Sequence, residues 1–411
     1  MTLAMSFTDT LLDRFERVRA LTETLALPLS PEDQTAQSMP DASPTKWHRA
    51  HTSWFFEEFV LGPSGGYDVF DPSYRYLFNS YYEAVGPRHP RPQRGLVTRP
   101  GTVQIGRYRA YVEAAVVSRL ERGELDDALG LVELGCHHEQ QHQELLLMDA
   151  KHLLAQHAFD PTYVPRPDEP DADPGPVRWR AVDGGLVDIG HDGDGFAFDN
   201  EGPRHRVHLA PFEIATKAVS NADWLDFMAD GGYSRPELWL SDGWRTVQEQ
   251  GWRAPLYWRD DDGDWTVFTL SGRRPVRRGE PVCHVSFYEA DAFARWADAR
   301  LPTEEEWEAA AVGIADRRGQ LLDPARCHPG LTGEAMVGDV WEWTASAYLP
   351  YPGFRPAAGA VGEYNGKFMC DQHVLRGASA VTPPGHERVT YRNFFPAASR
   401  WAFSGLRLAR S

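Results

Sequence analysis

Apolar positions recur every three to four residues over four stretches in the first part of the chain, and that period predicts amphipathic helices. From Ser6 to Leu27 the inward positions are Leu11, Leu12, Phe15, Val18, Leu21 and Leu25, with Pro28 as the stop. Ser43-Pro44-Thr45 opens a second helix with proline in its first turn, and Trp47, Ala50, His51, Trp54, Phe55 and Val60 give it a heavily aromatic face. A third runs from Gly101 to Gly123 on Val103, Ile105, Tyr108, Tyr111, Val112 and Val116, and a fourth from Asp126 to His152. Between the second and third, Tyr67 to Pro100 is rich in Tyr, Pro, Arg and Gly and reads as a long ordered loop, a kind of segment that is usually functional. Four such helices suggest an up-and-down bundle, whose interior commonly holds metals between facing helices.

The pattern then changes. Asp160 to Gly175 is rich in proline and acid and reads as a linker. Beyond it, short apolar runs are broken by Gly, Pro, Asp and Asn; Val207-His208-Leu209 and Phe212-Glu213-Ile214 read as strands, Asn221 to Met228 and Ser286 to Ala299 as short helices, and much of the rest as irregular. The fold class is therefore α followed by α+β. Residues 1–160 form the helical bundle, 161–177 the linker and 178–411 a loop-rich second domain.

Composition narrows the function. A chain of 411 residues is too long for one ordinary core, in keeping with two domains. The net charge of −17 comes with no basic stripe, which excludes a phosphate-neutralising nucleic-acid binder. Cys136, Cys283, Cys327 and Cys370 lie far apart without a C-x-x-C, so neither a disulfide framework nor a cysteine zinc site is expected. The first twenty residues lack the apolar stretch of a leader, and no later run could span a bilayer. A soluble, cytoplasmic protein with no membrane and no nucleic-acid partner is the expectation.

Candidate chemistry concentrates in the fourth helix, at Cys136-His137-His138-Glu139-Gln140-Gln141-His142-Gln143-Glu144. Leu131, Leu134, His138, His142, Leu145, Asp149 and His152 share roughly one face, and His137 is rotated off it. Two imidazoles one turn apart can direct nitrogens to a point about 2 Å from each, a chelate for a borderline divalent metal. The same string satisfies H-E-x-x-H, in which Glu139 would be the general base of a zinc peptidase. That rival lacks a recognisable third zinc ligand downstream.

Several further strings carry a resemblance. Asp199-Asn200-Glu201-Gly202-Pro203-Arg204-His205, Pro281-Val282-Cys283-His284-Val285-Ser286-Phe287, Arg300-Leu301-Pro302-Thr303-Glu304-Glu305-Glu306-Trp307-Glu308, Gly338-Asp339-Val340-Trp341-Glu342-Trp343-Thr344 and Gly405-Leu406-Arg407-Leu408-Ala409 resemble the sulfatase-modifying-factor or formylglycine-generating-enzyme fold, related to C-type lectins. The first region resembles the DinB-like four-helix bundle. With Phe78-Asn79-Ser80-Tyr81-Tyr82-Glu83-Ala84-Val85-Gly86-Pro87-Arg88-His89-Pro90 and the histidine string, the chain from Trp47 onward resembles the ergothioneine-biosynthesis sulfoxide synthases, with the closely related selenoneine synthases beside them.

The resemblance implies a mononuclear non-haem iron enzyme that uses Fe(II) and O2 to couple a thiol to imidazole C2 of hercynine, with the second domain completing the substrate pocket. It maps three iron ligands onto His51, His138 and His142, and an active-site tyrosine pair onto Tyr81 and Tyr82. Gln141 and Asn393 would hydrogen-bond hercynine, and Phe394 and Phe395 would wall its quaternary ammonium. Arg88 and Arg91, in a cluster with Arg94 and Arg99, could clamp the carboxylates of a thiol donor. Two departures bear on that donor: Gly377-Ala378-Ser379-Ala380 stands where the sulfoxide synthases carry Gly-Gly-Ser-Cys, and Cys370-Asp371-Gln372-His373 also differs. Gln372 and His373 would suit the hydroxyls of a selenosugar, so selenoneine synthesis by C–Se bond formation stays open beside the thiol reaction. A formylglycine-generating oxidase would need a thiol metal site, and Cys370 has no nearby cysteine in sequence. A non-catalytic binding module is the remaining alternative.

Overall fold

The computed structural model describes residues 7–314 and 317–411, and divides the chain into two units. The first comprises Met1–Phe159 together with Ala358–Tyr364, and the second Asp160–Ala357 with Asn365–Ser411. A return of seven late residues to the first unit is not foreshadowed by any sequence pattern.

In the first unit the long helices are α1 (Phe7–Ala26) and α2 (Thr45–Phe56), the latter running on into a π-turn over Glu57–Leu61. Ser6, where the sequence pattern starts α1, lies outside the described residues. A short α3 (Tyr74–Leu77) and a 3-10 turn (Arg91–Leu96) interrupt the connection to α4 (Thr102–Glu121), and α5 (Leu129–Leu154) carries the histidines. The predicted long loop is thus ordered by local structure, and by Asn79, whose amide donates to the carbonyls of Tyr82 at 3.0 Å and Gly86 at 3.1 Å. α5 packs on α1 and α2, and α2 also packs on α4, around Phe15, Phe55, Phe56, Val112 and Leu146.

Gly135 sets the closeness of α2 and α5, since a Cβ there would stand 2.7 Å from Phe56 Cζ, inside van der Waals contact. The same core holds a cluster of Glu139, Arg19 and Arg109. Glu139 accepts from Arg19 Nη1 and Arg109 Nη2, each at 2.8 Å, and from Thr22 Oγ1 at 2.6 Å. Such a group is tolerable in a core because every charge has a partner.

The second unit mixes short strands and helices, as the sequence pattern indicates. Its strands are β1 (Trp179–Val182), β2 (Gly185–Ile189), β3 (His205–Leu209), β4 (Phe212–Ala215), β5 (Trp258–Asp261), β6 (Asp264–Thr269), β7 (Gly272–Pro275), β8 (Trp341–Ala347), β9 (Gln372–Arg376), β10 (Asn393–Pro396), β11 (Ser404–Leu406) and β12 (Ala409–Arg410). They form four small sheets, of which the largest has the order β10-β9-β8-β11. The helices are α6 (Asn221–Ala229), α7 (Ser241–Gln250), α8 (Phe287–Trp296) and α9 (Glu304–Val312). Ser220, Ser286 and Thr303 cap α6, α8 and α9 by accepting from the backbone three residues on.

Several of the resemblance motifs turn out to be packing devices. Glu342 of β8 is buried, accepts from Trp307 Nε1 at 2.6 Å, and is held by Arg407 at 2.8 Å. Arg392 bonds Glu304 and Arg376 bonds Glu308 in the same way, both at 2.7 Å. No helix among the described residues is long and apolar enough to cross a membrane.

Candidate metal centre

His51 projects from α2, and His138 and His142 from successive turns of α5. One ring nitrogen from each lies within 4.8 Å of the other two, and among the described residues no other His/Cys/Asp/Glu group is arranged to hold an ion. The Nε2 atoms of His51 and His138 are 3.2 Å apart. Three nitrogens about 2.1 Å from a common ion, at angles between octahedral and tetrahedral, stand roughly 3.0–3.4 Å from each other. The His51–His138 separation falls in that range.

The ring orientations are fixed from outside. His51 Nδ1 donates to the Phe78 carbonyl at 2.6 Å, which leaves its Nε2 with a lone pair. His142 Nδ1 meets His48 Nδ1 at 2.8 Å, which leaves Nε2 as the free nitrogen of that ring. Trp47 and Trp54 stack on His51 at 4.6 and 5.3 Å, and Phe55 covers His138 at 4.6 Å. Burial lowers the pKa of all three imidazoles, that of His138 to about 3, and proximity of the other rings lowers His51 and His142 further. They are therefore neutral near pH 7 and available as donors. A neutral three-nitrogen cap suits a divalent ion and leaves its remaining positions open to small molecules.

Glu139 does not fit the peptidase role. Its carboxylate is sequestered by Arg19, Arg109 and Thr22, and those partners hold its pKa down to about 2 against the opposing effect of burial. With both carboxylate oxygens taken by these donors, Glu139 is not positioned as a general base for a water on the histidine triad. His137, on the same side of the helix as the Arg14 guanidinium, stands 3.4 Å from it.

Tyr82 is fully buried, its ring 5.5 Å from Trp54 and 5.1 Å from Phe59, and burial raises its pKa well above the ordinary phenol. Tyr81 packs on it at 4.7 Å and also faces Tyr364 at 6.4 Å. Tyr364 is the residue that sequence reasoning missed. It belongs to the returning Ala358–Tyr364 segment, its ring lies edge-on to His138 at 5.6 Å, and its hydroxyl donates to Gln141 Oε1. Glu363 beside it accepts from the backbone N–H groups of Glu83 at 3.0 Å and Ala84 at 2.8 Å, fastening that segment to the tyrosine loop. A lone tyrosine in a glycine-containing loop gives no local signal of this.

The arginines are engaged by groups of their own loop and of the connector between α1 and α2. Arg88 donates to the Ser80 carbonyl at 2.7 Å and to Glu83 at 3.0 Å, and Arg91 donates to the Asp41 carbonyl. Arg94 is buried, its guanidinium 3.4 Å from the centre of the Trp47 ring that backs His51.

In the second unit, β9 and β10 bring Gln372, His373, Asn393, Phe394 and Phe395 into one antiparallel ladder, with Phe395 opposite His373 and Pro396 opposite Gln372. Phe394 and Phe395 point to opposite faces, as strand neighbours must, so they cannot both wall one cation. Phe394 stacks on Tyr348 at 4.1 Å and near Phe368 at 5.9 Å, while Phe395 meets Trp401 at 5.6 Å. His373 stacks on Phe287 at 3.6 Å. Asn393 Oδ1 accepts from the Phe394 N–H at 2.9 Å.

Comparison with known proteins places the chain in a family. The sulfatase-modifying factor enzyme 1-like domain matches residues 173–322 and 329–411. Along nearly the whole chain, the protein is 33% identical to the hercynine oxygenase of Mycolicibacterium smegmatis, covering 91% of this chain and 92% of that one. It is 31% identical to the hercynine oxygenase of Mycobacterium tuberculosis, covering 90% and 91%. Ergothioneine biosynthesis protein 1 of Schizosaccharomyces pombe is 26% identical over 53% of this chain and 28% of its own. The chain belongs to the hercynine oxygenase family of ergothioneine biosynthesis, and from residue 173 onward it is a sulfatase-modifying factor enzyme 1-like domain.

Proposed function

We propose that this protein is a non-haem iron oxidoreductase that binds Fe(II) through His51, His138 and His142 and uses O2 to join a chalcogen donor to imidazole C2 of hercynine. The observation that carries the reading is the convergence of three neutral imidazoles, two with their outer nitrogens hydrogen-bonded, in a unit whose relatives include hercynine oxygenases. When bound, a ferrous ion supplies a centre at which O2 is reduced beside two organic substrates. With a thiol donor, RSH, hercynine and O2 give the C2 sulfoxide and water, which balances.

The chain's own groups then have separable tasks. Gln141 can hold the hercynine imidazole by hydrogen bonding, with its orientation set by Tyr364. The phenols of Tyr364 and Tyr81 are the candidates to hold or deliver a proton, since Tyr364 packs against His138 and Tyr81 against Tyr364. Buried Tyr82 supports Tyr81 from beneath. In the second unit, the Phe394 face with Tyr348 and Phe368 is the better aromatic platform for a quaternary ammonium, and Asn393, Phe395, Gln372 and His373 are the remaining candidates for substrate contact.

One observation favours a neutral donor as a second reading. Arg88 and Arg91 already satisfy carbonyls and Glu83, which leaves them poorly prepared to clamp the carboxylates of cysteine or γ-glutamylcysteine. A selenosugar needs no such clamp. The test is anaerobic reconstitution with Fe(II), then air, hercynine and, in parallel, cysteine, γ-glutamylcysteine or a selenosugar, with product masses read out. A hercynine-derived sulfoxide or selenium adduct from one donor supports the reading and names the donor; O2-independent peptide cleavage, or no hercynine product with any donor, overturns it.

A further inference from the structure

Two side chains outside the proposed ligand set stand in line with it. Asp149 lies on α5 two turns beyond His142, and His48 lies on α2 one turn before His51, so the two helices that carry the triad also carry this pair. His48 is 3% exposed and Asp149 5% exposed. Asp149 Oδ2 is 3.0 Å from His48 Nε2, and His48 Nδ1 is 2.8 Å from His142 Nδ1. Oδ2 also accepts from the Ser43 backbone N–H at 2.7 Å, which fixes the carboxylate.

Proton placement along this line is forced once His142 binds through Nε2. A His142 ring that binds through Nε2 carries its hydrogen on Nδ1 and donates it to His48 Nδ1. His48, accepting at Nδ1, carries its own hydrogen on Nε2 and donates it to Asp149 Oδ2. We infer that Asp149 and His48 are positioning residues for the metal centre: they lock His142 in the Nδ1–H tautomer, aim its ring, and raise the electron-donating power of Nε2 toward the ion. His51 receives the simpler version of the same treatment from the Phe78 carbonyl. His138 has neither, because its Nδ1 has no hydrogen-bond partner among the described residues. The three imidazoles are thus unequal donors, with His142 backed by a charge two groups away. Outer groups of this kind commonly change metal affinity by about 10–100-fold.

The inference rests on the metal reading of the triad, and the test separates the two. Anaerobic Co(II) titration, followed by visible absorbance, is run on the full chain and on His48→Phe, His48→Gln, Asp149→Asn and the double variant His48→Phe/Asp149→Asn. His48→Phe keeps a planar ring but accepts nothing, and is expected to bind Co(II) about 10–100-fold more weakly with an altered absorption envelope. His48→Gln, which can accept from His142 and donate to Asp149, is expected to recover most of that loss. Asp149→Asn should weaken binding in the wild-type background and add nothing in the His48→Phe background, as members of one chain do. Unchanged affinity in His48→Phe, or equal weakening in His48→Phe and His48→Gln, overturns the relay while leaving the triad standing. If His48→Phe does not fold, Asp149→Asn decides, and unaltered binding there overturns the relay. Failure of the unmodified protein to bind Co(II) overturns the triad and the relay together.

Discussion

His138 and Glu139 are chain neighbours on α5 with unlike tasks. The first turns its Nε2 toward His51, and the second is tied into the arginine core. Replacing Glu139 with Ala leaves Arg19 and Arg109 buried without their shared partner, and the expected cost is about 3–5 kcal/mol of stability, read as a lowered denaturant midpoint. Metal stoichiometry in the surviving folded fraction should be retained; a loss of catalysis without loss of stability would restore Glu139 to the peptidase role. The sequence made His138 and His142 legible through their one-turn spacing, and the same string misleadingly advertised Glu139, because a pattern of residue types does not say which side of the helix faces a cavity. The engagement of Arg88 by the Ser80 carbonyl and of Arg91 by the Asp41 carbonyl was equally invisible, since hydrogen bonds to backbone carbonyls leave no mark in composition.

At the scale of elements, the site depends on how closely α2 and α5 approach. Alanine in place of glycine ordinarily gains about 1 kcal/mol in a helix interior, whereas forcing a methyl into a packed core costs about 1–3 kcal/mol. Since Gly135 faces the Phe56 ring, the second effect should win. Gly135→Ala is expected to lower the melting temperature and weaken metal binding together, as α2 is pushed from α5; a stabilised variant with full affinity would show that the helices can separate without moving His51. The four long helices were readable because each repeats its apolar period over many turns. The short α9 and α7, and most strands, were not, because two or three turns or four residues carry too few repeats. The cap pattern Thr303-x-x-Glu306 marks α9 nonetheless, and would have recovered it.

At the scale of the whole molecule, the returning segment Ala358–Tyr364 is the feature least open to sequence reasoning. It joins Tyr364 to Gln141 across 223 positions of chain, and no local period or composition encodes such a pairing. Tyr364→Phe is expected to leave metal affinity unchanged while lowering kcat at least tenfold or diverting O2 consumption away from the coupled product, measured as product formed per O2 consumed; unchanged kcat and coupling would assign the proton to Tyr81. The family strings in the second unit were legible at once, yet several of them, such as Glu342 with Arg407, proved to maintain the core and not the chemistry. The measurement that bears most directly on the central claim is the anaerobic Fe(II) content of the purified chain against His51→Ala, with circular dichroism confirming an intact fold in both. One tightly held ferrous ion per chain, lost or weakened at least a hundredfold when His51 is removed, is the expected result; equal iron in the two proteins would contradict a centre shared between α2 and α5.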